Sequence, residues 1–153
     1  MASVRITPDN DAVVSEIEIA APPERVFQAL INREQALQWG TKMTSWEMDV
    51  RLGGKWRFVS KERTGSGAGK TFDHHGEILE LDPPRLLAYS WFADWHEKPL
   101  SQRTVVRWEL APTKTGTRLT VTHSGLAEMP AARLGYSQGW PGLLQSIKKF
   151  SEQ

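Results

Sequence analysis

The chain has 153 residues, the length of a single domain, and a chain of this size buries about 70% of its unfolded surface without needing a disulfide or metal staple. Its 19 Lys and Arg against 18 Asp and Glu leave a net charge of +1, which argues against a nucleic-acid or polybasic membrane role. Cysteine is absent, so disulfides, thiolate catalysis, cysteine-based zinc sites and iron–sulfur clusters are excluded. No apolar run reaches the ~18 residues of a membrane span, and Met1 to Ile6 lacks the apolar centre of a secretion signal; a cytoplasmic protein is expected. The unusual count is 7 tryptophans, as many as the 2 Tyr and 5 Phe together.

Val13 to Ala20 alternates, with Val13, Ser15, Ile17 and Ile19 on one face and Glu16 and Glu18 on the other, which predicts a half-buried strand. Ala21-Pro22-Pro23-Glu24 stops it and opens a helix, with Pro23 where a first turn tolerates proline. Val26, Phe27, Leu30 and Ile31 follow at helical spacing. A second short helix, about Arg33 to Trp39, ends at Gly40, a residue suited to a left-handed C-terminal position. From Ser45 to Ser124 the period becomes two. The predicted strands are Trp46–Leu52, Lys55–Arg63, Thr71–Leu81, Arg85–Ala93, Thr104–Leu110 and Thr117–His123. Connections this short make the sheet antiparallel, and Gly65–Gly69 reads as a flexible hairpin loop. After Gly125 an apolar stripe of Tyr136, Trp140, Leu143, Leu144, Ile147 and Phe150 predicts a closing helix. Pro141 inside that stripe predicts a kink, or a break with a fresh helix near Trp140.

Directly paired strand residues share a face, so registers can be tested for consistency. A three-residue Gly53-Gly54-Lys55 loop pairs Leu52 with Trp56 and Val50 with Phe58, and sets Glu47 opposite Lys61. In the next pair Phe58 meets Gly76, Trp56 meets Ile78 and Ser60 meets His74. That register leaves Leu79 and Leu81 outside with Glu80 pointing in, a conflict that a bulge near Leu79 would repair. In the last hairpin Leu110 meets Leu119, Trp108 meets Val121 and Val106 meets His123. The inner face thus collects Trp46, Met48, Trp56, Phe58, Tyr89, Trp91 and Trp108, with Ser60, His74 and His123 as polar exceptions. Arg51, Lys55, Arg57, Lys61 and Arg63 fall on a solvated outer face, paired with Glu47, Asp73 and Glu77.

No nucleophile elbow, phosphate loop or zinc-ligand spacing is present. His74 and His75 point to opposite faces of a strand and cannot share a metal. Asp94, His96 and Glu97 read as solvated loop residues. His123 reads as a core histidine with its ring nitrogens bonded, or as a general base beside a ligand. Trp39 and Trp95 are placed at a cavity mouth.

In order, Ala21-Pro22-Pro23-Glu24-Arg25-Val26-Phe27, Gly53-Gly54, the segment from Gly76-Glu77-Ile78 to Asp82-Pro83-Pro84, Tyr89-Ser90-Trp91, Gly116-Thr117-Arg118-Leu119, His123-Ser124-Gly125 and Gly139-Trp140 resemble the START-like, or SRPBCC, superfamily. Within it the chain is most similar to the family named for the activator of the heat-shock protein 90 ATPase, over about Val13 to Phe150, as a stand-alone bacterial-type member. The resemblance implies an α+β, helix-grip (Bet-v-1-like) fold: a curved antiparallel sheet of six or seven strands around a long C-terminal helix, with two short helices after the first strand. It implies a cavity for a hydrophobic small molecule or lipid, contacted by Trp46, Met48, Trp56, Phe58, Tyr89, Trp91, Trp108, Trp140 and Leu144 and oriented by Ser60, His74 and His123. A chaperone-cofactor-like interaction module, or a cyclase/aromatase-like enzyme acting on a polyketide-type ligand, are the alternatives. No catalytic residue, cofactor or metal is assigned. The expected partners are the hydrophobic molecule and, in a homodimer, a second copy of the chain, with a chaperone only under the interaction-module alternative; nucleic acid and a membrane span are not among them.

Overall fold

The computed structural model describes residues 1–40, 42–61, 69–97 and 103–153. The expected Gly65–Gly69 loop, apart from Gly69, and the Arg63 end of its flanking strand lie outside the described residues. The elements are β1 (Ser3–Ile6), β2 (Val13–Ile19), α1 (Pro23–Ile31), α2 (Arg33–Trp39), β3 (Met43–Met48), β4 (Lys55–Lys61), β5 (Thr71–Asp82), β6 (Leu86–Ala93), β7 (Thr104–Pro112), β8 (Thr117–Ser124) and α3 (Pro130–Ser151). All eight strands form one antiparallel sheet in the order β1-β2-β8-β7-β6-β5-β4-β3. The α+β architecture is the expected one, with one strand more. The addition, β1, is exposed at all four positions and carries no buried alternation to reveal it.

Local chemistry sets the helices. Pro23 opens α1 where its missing N–H is no loss. The Asn32 side chain accepts from the Gln35 N–H at 3.1 Å and so starts α2. Gly40 ends α2 as expected but at φ −89°, not in the left-handed region. Space is what requires glycine here, since a Cβ would lie 1.9 Å from Met43 Cε and 2.9 Å from the Ala36 carbonyl oxygen. Helix α3 is continuous through Pro141, so the expected break does not occur. Tyr136 and Trp140 before the proline and Leu144 and Ile147 after it are all buried against the same core, which anchors the helix on both sides of Pro141.

The β7–β8 register is as read, Leu110 with Leu119 and Val106 with His123. Two other registers differ. In β3–β4, Trp56 pairs with Met48 and Phe58 with Trp46, and Glu47 faces Arg57. The connecting residues 49–54 fold as their own turn. Gly53, at φ +77°, donates its N–H to the Ile78 carbonyl at 2.9 Å, and Ile78 N–H returns to Gly54 at 2.8 Å. The loop backbone therefore bonds to β5, and Val50 and Leu52 are left exposed. In β4–β5, Phe58 pairs with His74, Trp56 with Gly76 and Ser60 with Phe72, a two-residue slip from expectation. Each slip is an even number of residues, so every side chain keeps its face. The outer cations find the expected kinds of partner. Lys55 bonds Glu77 at 3.1 Å, Arg57 holds Asp73 through Nη2 at 2.6 Å, and Arg51 takes Asp49 at 2.7 Å. The register does shift at Leu79, between Ile78 and Glu80; Glu80 turns out to pair with Arg107, and Leu81 packs on the core.

Gly76 marks the tightest point of the sheet. A Cβ there would lie 1.8 Å from the Ser90 carbonyl oxygen and 2.7 Å from Trp56 Nε1, the two atoms of a 2.9 Å hydrogen bond. Gly76→Ala is expected to cost at least about 1–3 kcal/mol by overpacking. Gly142→Ala, whose Cβ meets nothing within 4 Å inside α3, should stabilise by about 0.5–1 kcal/mol. Urea denaturation of both variants checks the contrast.

Candidate functional site

A cavity of about 420 Å³ lies between the inner face of the sheet and α3. Its floor is Trp46 and Met48 from β3, Trp56, Phe58 and Ser60 from β4, Tyr89 and Trp91 from β6, and Trp108 from β7. Leu30 and Trp39 come from α1 and α2, and Trp140, Leu143 and Ser146 from α3. Exposed Lys42, Gly139 and Gly142 form its rim. Gly139, Gly142, Leu143 and Ser146 follow i, i+3, i+4, i+7 spacing, a stripe beside the one that faces the core. A Cβ on either glycine would meet nothing within 4 Å, so the helix leaves the rim open there at a cost in propensity of about 1 kcal/mol per glycine.

Three of the indoles in these walls have their N–H groups bonded inside the protein. Trp108 Nε1–H donates to the Tyr89 hydroxyl at 2.8 Å, Trp56 Nε1–H to the Ser90 carbonyl at 2.9 Å, and Trp39 Nε1–H to the Ala29 carbonyl at 2.7 Å. Each bond spares a buried donor the loss of about 1–3 kcal/mol that an unmatched one brings, and leaves ring carbon facing the void. Lys42 is the one charged residue among the described lining residues.

Nine of the twelve expected ligand-contact residues line this cavity; His74, His123 and Leu144 do not. His74 lies behind Phe58, stacked on it at 4.2 Å. Leu144 is fully buried under α3. His123 is fully buried and belongs to a second, closed half of the interior. There Trp140 Nε1–H donates to His123 Nδ1 at 3.2 Å. With Nδ1 accepting, the ring hydrogen sits on Nε2, which donates to Thr104 Oγ1 at 2.9 Å. Thr104 passes its hydroxyl hydrogen to the Trp91 carbonyl at 2.7 Å. Both nitrogens of His123 are thereby used inside the protein, and no lone pair is left for a substrate. His74 and His123 lie on Trp91, with ring centroids 5.3 and 5.5 Å from it.

The loop after β6 completes this closed half, and here the sequence reading is corrected. His96 is buried, not solvated; its Nε2 meets the Tyr136 hydroxyl at 2.6 Å, and that hydroxyl accepts from Trp91 Nε1–H at 2.8 Å. Trp95 is not at the mouth. Its indole donates to His74 Nε2 at 2.9 Å and its ring lies 5.0 Å from Tyr136. Glu97 accepts the Ala131 and Ala132 N–H groups at 3.2 and 2.9 Å, capping α3 from a distance where Met129 offers no side-chain cap. Trp39, by contrast, lines the cavity as a buried residue. Among the described residues no three His, Asp or Glu side chains come together as metal ligands.

All three inward histidines are held neutral. Burial lowers His74 to about 4, with neighbouring His96 adding to the effect. Burial lowers His96 and, further, His123. His74 Nδ1 is buried and has no hydrogen-bond partner among the described residues. Below about pH 6.5 the unfolded chain therefore binds more protons than the folded one, and stability falls as pH drops from there toward 4. Between pH 6.5 and 5 the folding free energy should decline by up to about 1.4 kcal/mol per pH unit through His74, and His96 and His123 act in the same direction. His74→Gln should flatten that slope by one histidine's share. Urea titrations across this range measure it.

The chain matches the family described as activator of Hsp90 ATPase homolog 1-like protein over residues 20–152. No curated protein matches it. Solved structures share its fold. A protein from Rhodobacter sphaeroides superposes with a TM-score of 0.77 at 20% identity, covering 99% of this chain and 95% of that one. A Mesorhizobium loti protein gives 0.69 at 28% identity, covering 91% and 95%. An AHSA1-like protein from Aeromonas hydrophila gives 0.69 at 22% identity, covering 92% of each chain. The helix-grip architecture, the continuous sheet and the match across residues 20–152 together place this chain in the activator of Hsp90 ATPase homolog 1-like family.

Proposed function

We propose that this chain binds a small hydrophobic molecule in the cavity between the sheet and α3. The observation that carries the reading is the 420 Å³ void with an open rim, walled by aromatic rings, with the indole N–H groups of Trp39, Trp56 and Trp108 already bonded within the protein. A volume in this range is typical of small-molecule sites. Filling it with water would set many molecules, each occupying about 30 Å³ in the liquid, against surfaces that offer them few hydrogen bonds. An apolar guest releases that water and gains ring contacts. Trp46, Met48, Trp56, Phe58, Tyr89, Trp91, Trp108 and Trp140 would make the contacts, with Ser60 and Lys42 meeting a polar end near the rim. His74, His123 and Leu144 would act from behind, by holding Phe58, Trp91 and Trp140 in place.

Binding of the neutral probe N-phenyl-1-naphthylamine tests the proposal. Its emission should rise and shift to the blue as tryptophan emission is quenched, saturating at one probe per chain. A Gly139→Phe/Gly142→Phe double variant places bulk at the rim, where the helix has room for it. It should weaken binding by about tenfold or more, roughly 1.4 kcal/mol, while melting no lower than the parent. Absence of saturable binding to the parent chain, or equal binding by the variant, contradicts the proposal.

A further inference from the structure

The chain has 2 tyrosines, and they are wired alike at one end and differently at the other. Each hydroxyl accepts an indole N–H, Tyr136 from Trp91 and Tyr89 from Trp108, both at 2.8 Å. A phenol has one hydrogen left to donate after it accepts. Tyr136 can place its hydrogen on His96 Nε2 at 2.6 Å. The Tyr89 hydroxyl has no acceptor for its hydrogen among the described residues. Tyr89 is only 7% exposed, burial raises its pKa far above neutrality, and it lines the cavity. Its ring neighbours on that side are Trp56, at 4.9 Å, and Trp91, at 6.2 Å, whose own polar atoms are N–H donors. The surroundings thus hold a fixed, neutral, buried donor beside an apolar void, and a buried polar group of this kind is ordinarily matched.

We propose that the Tyr89 hydroxyl donates its hydrogen to a carbonyl oxygen of the cavity's guest, which makes that guest an aromatic ketone or a similar carbonyl-bearing ring compound. The proposal rests on the cavity-binding reading above and adds the polar group that selects among apolar guests. A carbonyl takes the Tyr89 hydrogen and brings none of its own into the walls. A guest hydroxyl would bring one, and a pure hydrocarbon would leave Tyr89 unmatched. Trp108 acts as the positioning residue, because its N–H occupies one lone pair of the Tyr89 oxygen and turns the hydrogen away from itself.

The matched pair 9-fluorenone and fluorene, alike except for the carbonyl, tests this. Against the parent chain, Tyr89→Phe should weaken fluorenone about tenfold and leave fluorene within about twofold. Equal weakening of both would show that Tyr89 matters only through the Trp108 contact, and would overturn the proposal. A second measurement needs no variant. The infrared C=O stretch of fluorenone bound to the parent chain should lie below its value in a dry hydrocarbon solvent. An unshifted stretch, with fluorene still bound, overturns the carbonyl assignment and leaves the cavity reading standing. If neither compound binds, both fall.

Discussion

The hydrogen bond from the Trp140 indole to His123 Nδ1 is the contact on which the rest of the interior depends. It joins the middle of α3 to β8, and it sets a chain of donors that runs through Thr104 to the backbone of Trp91 on β6. Every hydrogen in that chain has one place to go, which is why His123 must be neutral and why its ring cannot turn. A polar chain buried this deeply stabilises only when fully matched. Here it also decides where α3 sits above the sheet, and so how much of the sheet the helix can cover.

The consequence is an interior of two unequal kinds. On one side of Trp91 and Trp140 the rings of Tyr136, His123, His96, Trp95 and His74 pack against each other at centroid distances of 4.1–6.5 Å. On the other side Trp46, Trp56, Phe58, Tyr89 and Trp108 surround open space. Large aromatic side chains serve both ends. Their flat faces build a close-packed plug when opposed by other rings, and a smooth apolar wall when opposed by two helical glycines. Glu97, reaching back from the plug to cap α3, ties the loop after β6 to the same helix whose far stripe forms the rim.

Much of this was legible in the residues, and the failures have a common physical source. Alternation reports which face a strand residue takes, so Trp46, Met48, Trp56, Phe58 and Trp108 were all placed inward. It is blind to slips by an even number of residues, so the partners of Trp56 and Phe58 were misassigned while their faces were right. What fixed those registers was backbone bonding between Gly53-Gly54 and Ile78, which leaves no trace in side-chain pattern. The β7–β8 hairpin was read correctly because a short turn allowed little room to slip. The resemblance to the helix-grip family supplied the curved closure of the sheet over α3, which periodicity alone does not specify. His96 and Trp95 were missed because a loop residue's burial depends on where the loop folds back. Side-chain pattern likewise does not reveal that the Tyr89 hydroxyl accepts from Trp108 on the neighbouring strand.

The tryptophans divide between a closed plug and the wall of an open cavity, and the proposed guest touches only the wall. Nitrogen-15 NMR of the indole N–H groups during titration with a neutral aromatic ligand tests it directly. The Trp56 and Trp108 signals should move while that of Trp95 stays in place. Movement of Trp95 together with the others, or no movement of Trp56 and Trp108 at saturating ligand, would contradict it.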